Sequence, residues 1–302
     1  MEEKYIPTEE LKRFELLTDV PMSRYTTIHC GGPADMALFP RSEDELSLML
    51  QILGAEKIPV SLIGGGSNLL VGDGGIRGAA VFLSGLGDIR IRDNTVYASA
   101  GVALPKLARM AAEASLSGLQ FASGIPGTVG GAVVMNAGAY GSEMKDILLK
   151  CRVMDEFGDV TTMGTQELDM SYRHSVFSGS DGRIVISALL GLTGGERDSI
   201  MEEMKELAAR RRTSQPLDMP SAGSTFRRPE DAPAAARLID DAGLKGLRVG
   251  DAMVSTVHAG FIVNAGHASA GEVRELIELV TERVYSLFGV TLQPEIKYMG
   301  CF

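Results

Sequence analysis

Two glycine-rich stretches constrain the fold of this 302-residue chain more than any other feature. The first, residues 64–71 (Gly-Gly-Gly-Ser-Asn-Leu-Leu-Val), follows the apolar run 58–63, which predicts a buried strand. Its glycines let backbone N–H groups approach an anion closely. The second, residues 121–141, holds six glycines among 21 residues and almost no charge, as expected of a loop that lies against a large flat ligand. Neither stretch has the G-x-G-x-x-G spacing, so together they predict a dinucleotide cofactor held outside the usual Rossmann arrangement.

Composition narrows the class of protein. The net charge is −10 and the pI is near 5.0, so we expect no general nucleic-acid-binding surface. Cys30, Cys151 and Cys301 are too scattered for a disulfide framework or a metal site, and they favour a reducing compartment. Residues 1–6 show no signal-peptide pattern, and no apolar run is long enough to span a membrane. We therefore expect a cytoplasmic, monomeric protein with no metal ion, no nucleic-acid partner and no membrane insertion.

The helix signals are capping boxes and apolar residues at helical spacing. Ser42 with Glu45 forms one capping box, and Ser269 with Glu272 forms a second. Pro105 is expected to open another helix. The predicted helices are 43–54 with Gly54 as the stop, 105 to about 118, 197–212, 233–242 and 270–287.

Strand signals alternate with these helices, so the predicted fold class is α+β. The predicted strands are 58–63, 79–83, 89–99 with a turn at Asp93 and Asn94, 148–155, 160–163, 184–190, 259–264 and 295–299. Residues 213–223 are rich in Pro, Ser and Gly, as a domain boundary would be. We predict two lobes that share the cofactor, residues 1–85 and 86–196, and a C-terminal domain of residues 197–302.

Two polar residues lie in segments whose composition suits ligand binding. Arg173 follows Tyr172 just before a predicted strand, and its planar guanidinium suits a carboxylate, although a surface arginine stacked on Tyr172 has the same pattern. Ser224 follows Gly223 in a loop predicted over 220–229, as expected for a hydroxyl that faces a ligand at close range. A turn in which that hydroxyl bonds nearby backbone is the alternative. No histidine or acid stands at a triad spacing from Ser224.

Three further positions are ambiguous from the residues alone. Glu295 follows a proline at the start of the last predicted strand, where carboxylates are usually solvated. His258 precedes an apolar strand and has no second ligand at a metal-binding spacing, which favours a structural role. The three arginines 210–212 close a predicted helix, where they favourably meet the helix dipole; a phosphate-facing role is the alternative.

In combination, these motifs resemble the UDP-N-acetylenolpyruvoylglucosamine reductase family, flavoenzymes of peptidoglycan precursor synthesis. The resemblance covers nearly the whole chain. The segments that carry it are 25–34 (YTTIHCGGPA), 64–71, 124–132 (GIPGTVGGA), 135–139 (MNAGA), 172–177 (YRHSVF), 223–226 (GSTF), 243–246 (GLKG), 258–264 (HAGFIVN) and Pro294-Glu295. The short segment after Phe177 is similar to the compact subtype of the family.

The resemblance implies a fold and a reaction. It implies a two-lobed FAD-binding domain of the vanillyl-alcohol-oxidase (PCMH) type and a C-terminal α/β substrate-binding domain. The implied reaction is the NADPH-dependent reduction of UDP-N-acetylglucosamine enolpyruvate to UDP-N-acetylmuramate through noncovalent FAD. The implied cofactor contacts are Gly64, Gly65, Gly66, Ser67, Asn68, Gly124, Pro126, Gly127, Thr128, Gly130, Gly131, Ala132, Asn136 and Gly138.

The resemblance also implies roles for the polar residues. It makes Ser224 the proton donor to a substrate carbon, and Arg173 and Glu295 the pair that polarises the substrate carboxylate and stabilises the enolic intermediate. The implied substrate contacts are Tyr172, Arg227, Arg228 and His258.

Some positions depart from the family pattern. Ser214 and Val257 stand where lysine is common, and Asp251 replaces a glycine. Arg227, Arg228 or the arginines 210–212 are therefore candidates to compensate in diphosphate binding. The alternative function is a related FAD oxidoreductase acting on an alcohol or hydroxy acid, without the arrangement of Ser224 and Glu295. A non-catalytic flavin-binding paralogue would be expected to have lost one of the three catalytic candidates.

Overall fold

The first lobe is a small mixed sheet covered by one helix. The computed structural model describes residues 4–179 and 182–302, so residues 1–3 of the segment searched for a signal peptide lie outside the described residues. The first five strands are β1 (Leu16–Pro21), β2 (Pro33–Leu38), β3 (Val60–Ile63), β4 (Leu69–Val71) and β5 (Ile76–Phe82). Four of them form a sheet of order β1-β2-β5-β3, in which only β1 runs antiparallel to its neighbour. Helix α1 (Glu43–Ala55) buries its apolar face in the core under this sheet.

The second lobe is a five-stranded antiparallel sheet of order β12-β11-β13-β7-β6. Its strands and the short strands around it are β6 (Ile89–Arg92), β7 (Thr95–Ser99), β8 (Leu116–Ser117), β9 (Gly138–Ala139), β10 (Ser142–Glu143), β11 (Leu148–Met154), β12 (Val160–Gly164), β13 (Ile184–Gly191) and β14 (Thr193–Gly194). Helices α2 (Leu104–Glu113) and α3 (Val129–Val134) contribute to the same core. Helix α4 (Arg197–Ser214) packs against α2 and β8. The predicted boundary between residues 196 and 197 assigns α4 to the C-terminal domain, whereas α4 contacts the second lobe.

The C-terminal part has its own sheet and core. Strands β15 (Ser221–Ser224), β16 (Arg248–Val249), β17 (Ala252–Val254) and β18 (Phe261–Asn264) form an antiparallel sheet of order β15-β18-β17-β16. Helices α5 (Ala235–Asp241) and α6 (Ala270–Phe288) contribute apolar residues to this core. The last strand, β19 (Lys297–Met299), returns to the first lobe and pairs in parallel with β4. No helix within the described ranges is long and apolar enough to cross a membrane.

Most predicted elements are confirmed, and the local turn and cap signals explain why. The hairpin turn at Asp93 and Asn94 joins β6 to β7, with Arg92 opposite Thr95. The capping box at Ser269 is complete: the Ser269 side chain accepts from the Glu272 N–H, and the Glu272 side chain accepts from the Ser269 N–H. The box at Ser42 is only half formed: Ser42 accepts from the Glu45 N–H, but Glu45 accepts from the Arg41 N–H.

Four local predictions were wrong. The helix α1 includes Gly54, and the chain reverses later, at Lys57, which has φ +55°. The helix α2 ends at Glu113 rather than near Gly118, because residues 116–117 pair with β14. Residues 121–141 are not one loop but contain α3 and β9, and residues 220–229 contain β15. In both stretches, tertiary packing overrides the loop signal of the glycines.

Candidate active site

The two glycine-rich stretches meet face to face. A Cβ atom built on Gly65 would lie 3.0 Å from the Gly127 Cα, and one on Gly64 would lie 2.9 Å from the Thr128 Oγ1. A Cβ on Gly127 would in turn lie 3.3 Å from the Ser67 Oγ. The two backbones therefore form a narrow cradle that side chains at Gly64 and Gly65 would fill.

Gly66 shapes the turn of the first loop. It has φ +63°, and a Cβ there would lie 1.9 Å from the Tyr25 carbonyl oxygen. Only glycine avoids that collision, because every other residue carries a Cβ. At the end of the loop, Asn68 donates from Nδ2 to the Glu295 carbonyl oxygen at 3.2 Å. The first loop is thus tied to the segment that carries a predicted catalytic residue.

The remaining predicted cofactor contacts separate into two groups. Pro126 and Gly131 are exposed, and a Cβ on Gly131 would lie 3.7 Å from the Thr128 Oγ1. Gly130 and Ala132 are buried in α3, and a Cβ on Gly130 would lie 2.9 Å from the Ala100 Cβ. These two residues pack α3 against the core, so their small size serves the fold.

Asn136 and Gly138 position other groups. Asn136 is fully buried, and its Nδ2 donates to the Glu143 carboxylate and to the Ser171 carbonyl. Its Oδ1 accepts from the Lys145 N–H. The Asn136 side chain therefore has no surface for a ligand, contrary to its predicted role. The Gly138 carbonyl accepts from the Arg173 Nη2 at 3.2 Å.

Arg173 and Glu295 form a shielded ion pair between the second lobe and the C-terminal segment. The Arg173 Nε donates to the Glu295 Oε1 at 2.7 Å. Arg173 has φ +53° in a two-residue turn closed by hydrogen bonds between Ser171 and His174. Its Cζ also lies 5.4 Å from the centre of the Tyr172 ring. Arg173 thus contacts the Tyr172 ring and pairs with Glu295 at the same time.

Glu295 is not a solvated carboxylate, because it is only 9 % exposed. Burial raises its pKa, although the charges of Arg173 and Arg227 act in the opposite direction. Its backbone N–H donates to the Thr225 carbonyl at 2.8 Å. Glu295 is therefore hydrogen-bonded to the residue that directly follows Ser224 at the end of β15.

Ser224 ends β15 directly after Gly223, which has φ +78°. A Cβ on Gly223 would lie 4.0 Å from the Ser67 carbonyl oxygen, so this turn is adjacent to the first glycine-rich loop. Ser224 is exposed, and its hydroxyl has no hydrogen-bond partner among residues 4–179 and 182–302. The structure does not contain the turn in which this hydroxyl bonds nearby backbone.

His258 lines a separate cavity of about 340 Å³ in the C-terminal domain. Its Nδ1 accepts from the Gly260 N–H at 3.1 Å, and burial lowers its pKa, with Lys245 acting in the same direction. Arg237 and Lys245 also line the cavity. Sequence reasoning named the segment 243–246 but missed the role of Lys245 in this cavity.

The remaining predicted substrate contacts lie near the turn of residues 171–174. Arg228 is exposed, and its N–H donates to the Tyr172 Oη at 3.3 Å. Arg227 is half-buried, and its charge partly opposes the rise that burial causes in the pKa of Glu295. The Ser214 hydroxyl donates to the Arg210 carbonyl within α4. A serine carries no positive charge, so it does not replace the lysine that is common at this position.

Comparison with known proteins adds independent information. A family model described as "UDP-N-acetylenolpyruvoylglucosamine reductase, C-terminal domain" matches residues 215–299, and one described as "FAD binding domain" matches residues 34–164. The UDP-N-acetylenolpyruvoylglucosamine reductase of Agathobacter rectalis is 49 % identical, covering 98 % of this chain and 97 % of that protein. The protein of the same name from Caldanaerobacter subterraneus subsp. tengcongensis is 47 % identical over 97 % of this chain and 96 % of its own length.

A solved structure agrees over the whole fold. The crystal structure of UDP-N-acetylenolpyruvylglucosamine reductase from Thermus caldophilus matches with a TM-score of 0.78 and 36 % identity. The match covers 95 % of this chain and 99 % of that one. The predicted fold class, an FAD-binding domain followed by a second αβ domain, is confirmed.

The cradle between the two loops fits FAD. Gly64, Gly65 and Gly127 have no side chains, and this leaves the cradle open. The Thr128 Oγ1 is buried beside it and has no hydrogen-bond partner among the described residues. A buried hydroxyl without a partner is costly, so this atom suits a polar ligand group. FAD would therefore be held by residues 64–68 and 127–128.

Proposed function

Because the chain belongs to the UDP-N-acetylenolpyruvoylglucosamine reductase family of FAD-dependent oxidoreductases, we propose that it reduces UDP-N-acetylglucosamine enolpyruvate to UDP-N-acetylmuramate. We propose NADPH as the electron donor and the synthesis of peptidoglycan precursors as the setting. The observation that carries this proposal is the shielded Arg173–Glu295 pair beside the first glycine-rich loop. FAD, when bound, supplies the hydride that adds to one carbon of the double bond.

Arg173 is proposed to bind and polarise the substrate carboxylate. Its guanidinium has five N–H groups, and the structure uses one for Glu295 and one for the Gly138 carbonyl. Three donors remain for a carboxylate. Because the ion pair and the turn fix the guanidinium before substrate binds, its charge is preorganised for the negative charge that develops on the carboxylate.

Glu295 is proposed to act with Arg173 on the same group. Burial raises its pKa and so shifts it toward the neutral form, although the charge of Arg173 acts in the opposite direction. A protonated carboxyl can donate a hydrogen bond from Oε to the developing enolate oxygen, which an ionised carboxylate cannot do. Its hydrogen bond with Arg173 holds the two side chains in a fixed relative position.

Ser224 is proposed to donate the proton. Its hydroxyl is exposed and has no partner within the described ranges, so it is available to a substrate carbon. This role is supported by a backbone hydrogen bond from the Glu295 N–H to the carbonyl of Thr225, the residue after Ser224, which joins the two segments that carry Ser224 and Glu295. The proton leaves Oγ as the second carbon of the former double bond becomes saturated.

The cavity at His258 is proposed to receive the nucleotide diphosphate. Arg237 and Lys245 provide two cations at this cavity, and each is paired with an aspartate of α5 that also lines it. Phosphate oxygens accept hydrogen bonds from such groups and from a neutral imidazole N–H. Arg237 and Lys245 are therefore the candidates to bind the diphosphate in place of the lysines common at positions 214 and 257.

We also propose that the protein acts as a monomer in the cytoplasm. All three cysteines are free in the structure. Burial raises the pKa of the Cys30 thiol to about 12 and that of Cys151 to about 11, so both stay protonated and unreactive at neutral pH. Light scattering of the purified protein would test the oligomeric state.

Product analysis tests the proposed reaction. We expect purified protein with FAD to oxidise NADPH beyond one equivalent per FAD only when UDP-N-acetylglucosamine enolpyruvate is present, and the product to gain two hydrogen atoms by mass spectrometry. Arg173→Lys should impair this turnover, because a point charge cannot replace the planar fork. Arg152→Lys is a matched control, since Arg152 pairs with Glu43 instead. Turnover of an alcohol or hydroxy acid, with none of the enolpyruvyl substrate, would contradict the proposal.

A further inference from the structure

Three consecutive arginines lie near the end of α4, and their environments differ. Arg210 and Arg212 are exposed, whereas Arg211 is half-buried. The Arg211 side chain lies over Gly124 of the second glycine-rich stretch. A Cβ on Gly124 would lie 3.1 Å from the Arg211 Cδ and 3.4 Å from its Nη1. Any side chain at Gly124 would therefore press on the guanidinium.

The charge of Arg211 is not balanced by the protein. No carboxylate in residues 4–179 and 182–302 forms an ion pair with it. Burial lowers the pKa of the guanidinium, and the group that opposes this shift is the Tyr140 phenol. Burying a cation without a counter-ion is costly, so this position indicates an anion that belongs to a ligand.

Two simpler explanations account for only part of this arrangement. The dipole of α4 favours cations in its last turn, but the exposed Arg210 and Arg212 already provide them. The aliphatic stem of Arg211 packs on Gly124, but packing of the stem does not require the charged head to lose solvent.

The surroundings of Arg211 connect it to the cofactor loops and to the site. Gly124 is three residues before Gly127, which lines the cradle. The Tyr140 hydroxyl donates to the Leu207 carbonyl, one turn before Arg211. Tyr140 also follows β9, whose Gly138 carbonyl holds Arg173. Arg211 thus lies between the second glycine-rich stretch and the hairpin that positions the proposed catalytic arginine.

We propose that Arg211 supplies the positive charge that balances an anionic group of the bound FAD at the second glycine-rich stretch. This inference rests on the proposed function. A planar guanidinium suits an anion whose charge is shared between several atoms. FAD offers two such groups: the diphosphate, which is charged in both redox states, and the ring system after two-electron reduction.

Two variants and a control separate charge from packing. Arg211→Met keeps the stem and removes the charge, and Arg211→Lys keeps the charge without the fork. Arg210→Met is the matched control, because Arg210 is exposed in the same turn. The readouts are the dissociation constant of FAD, from dilution of the full-length holoprotein, and the reduction potential of the bound FAD.

The two sources of the anion give different results. If Arg211 balances the diphosphate, Arg211→Met weakens FAD binding about ten-fold or more and leaves the potential unchanged. If Arg211 balances the reduced ring, oxidised FAD binds as before, and the reduced form binds about ten-fold more weakly. That change lowers the potential by about 30 mV for a two-electron couple. In both cases Arg211→Lys recovers part of the effect, and Arg210→Met has none.

The inference is overturned if Arg211→Met matches Arg210→Met in both readouts, even where its melting temperature falls. Such a result would leave the proposed function intact, because wild-type protein would still bind FAD and reduce the substrate. If wild-type protein binds no FAD, the proposed function and this inference both fail.

Discussion

Glu295 and His258 are ionisable residues whose pKa values shift because they are buried. Burial raises the pKa of Glu295, against the charge of Arg173, and lowers the pKa of His258, so burial shifts both residues toward the neutral form. Sequence motifs located both residues. The motifs did not reveal these states, because burial depends on segments far apart in the chain, such as Arg173 and Glu295. The solvated carboxylate expected for a strand end is absent for this reason.

The lowered pKa of His258 predicts acid-sensitive stability. In the unfolded chain its pKa returns to about 6.5, so unfolding takes up a proton between the folded pKa and 6.5. The stabilising contribution of neutral His258 is present above pH 6.5 and is lost as pH falls through the folded pKa. We expect His258→Asn, which can still accept from the Gly260 N–H, to lose less stability between pH 7 and 5.

Urea unfolding at several pH values measures this effect. His267→Asn is a suitable control, because that histidine is exposed. Parallel pH curves for wild type and His258→Asn would show that His258 does not titrate with unfolding.

Among the secondary-structure elements, those with local signals were predicted and those without were missed. The capped helix α6 and the hairpin β6–β7 have cap and turn residues that act within a few positions. The helix α3 has the sequence Val-Gly-Gly-Ala-Val-Val, whose glycines disfavour a helix. It forms because Val129 and Val133 are buried and Gly130 allows contact with Ala100.

Contact between the two glycine-rich stretches predicts the effect of Gly65→Val. The reason is steric: a Cβ there meets the Gly127 Cα at 3.0 Å, whereas the positive φ in this loop belongs to Gly66. We expect a folded protein that retains less FAD, as measured from the ratio of flavin to protein absorbance. Gly54→Ala is the control, since a Cβ on Gly54 has no atom within 4 Å. Equal flavin content in both variants would place the cofactor away from these loops.

The start of α6 depends on a carboxylate from the first lobe. Asp73 accepts from the Ala270 and Gly271 N–H groups, each at 2.8 Å, while Ser269 caps Glu272. We expect Asp73→Ala to lower the free energy of unfolding by about 1 kcal/mol, the typical effect of losing a helix cap. Urea unfolding measures it, with the exposed Asp218→Ala as control. Equal stability of the two variants would show that Asp73 does not hold α6.

In the molecule as a whole, the C-terminal end is part of the first lobe. Strand β19 pairs with β4, and the Lys297 N–H donates to the Asn68 carbonyl at 3.0 Å. Glu295 lies just before this return. The sequence predicted the strand but not its partner, because a parallel partner more than 200 residues away leaves no local signal.

The pairing of β19 with β4 predicts that the last residues support cofactor binding. We expect deletion of residues 297–302 to lower the melting temperature and the FAD content, because β4 and the loop before it lose their neighbour. Tyr298→Ala keeps the backbone pairing and is the control, since this side chain is 43 % exposed. Wild-type FAD content in the shortened protein would show that β19 does not support the loop.

In the proposed reaction, Ser224 protonates the substrate carbon while Arg173 and Glu295 bind the substrate carboxylate. Stopped-flow measurement of the two half-reactions of Ser224→Ala tests it most directly. We predict reduction by NADPH at the wild-type rate, and reoxidation by UDP-N-acetylglucosamine enolpyruvate slowed about 10²–10⁴-fold, the usual contribution of a positioned acid. Ser224→Cys, which keeps a transferable proton, should recover part of the rate. Reoxidation of Ser224→Ala at the wild-type rate would contradict the account and assign the proton to another group.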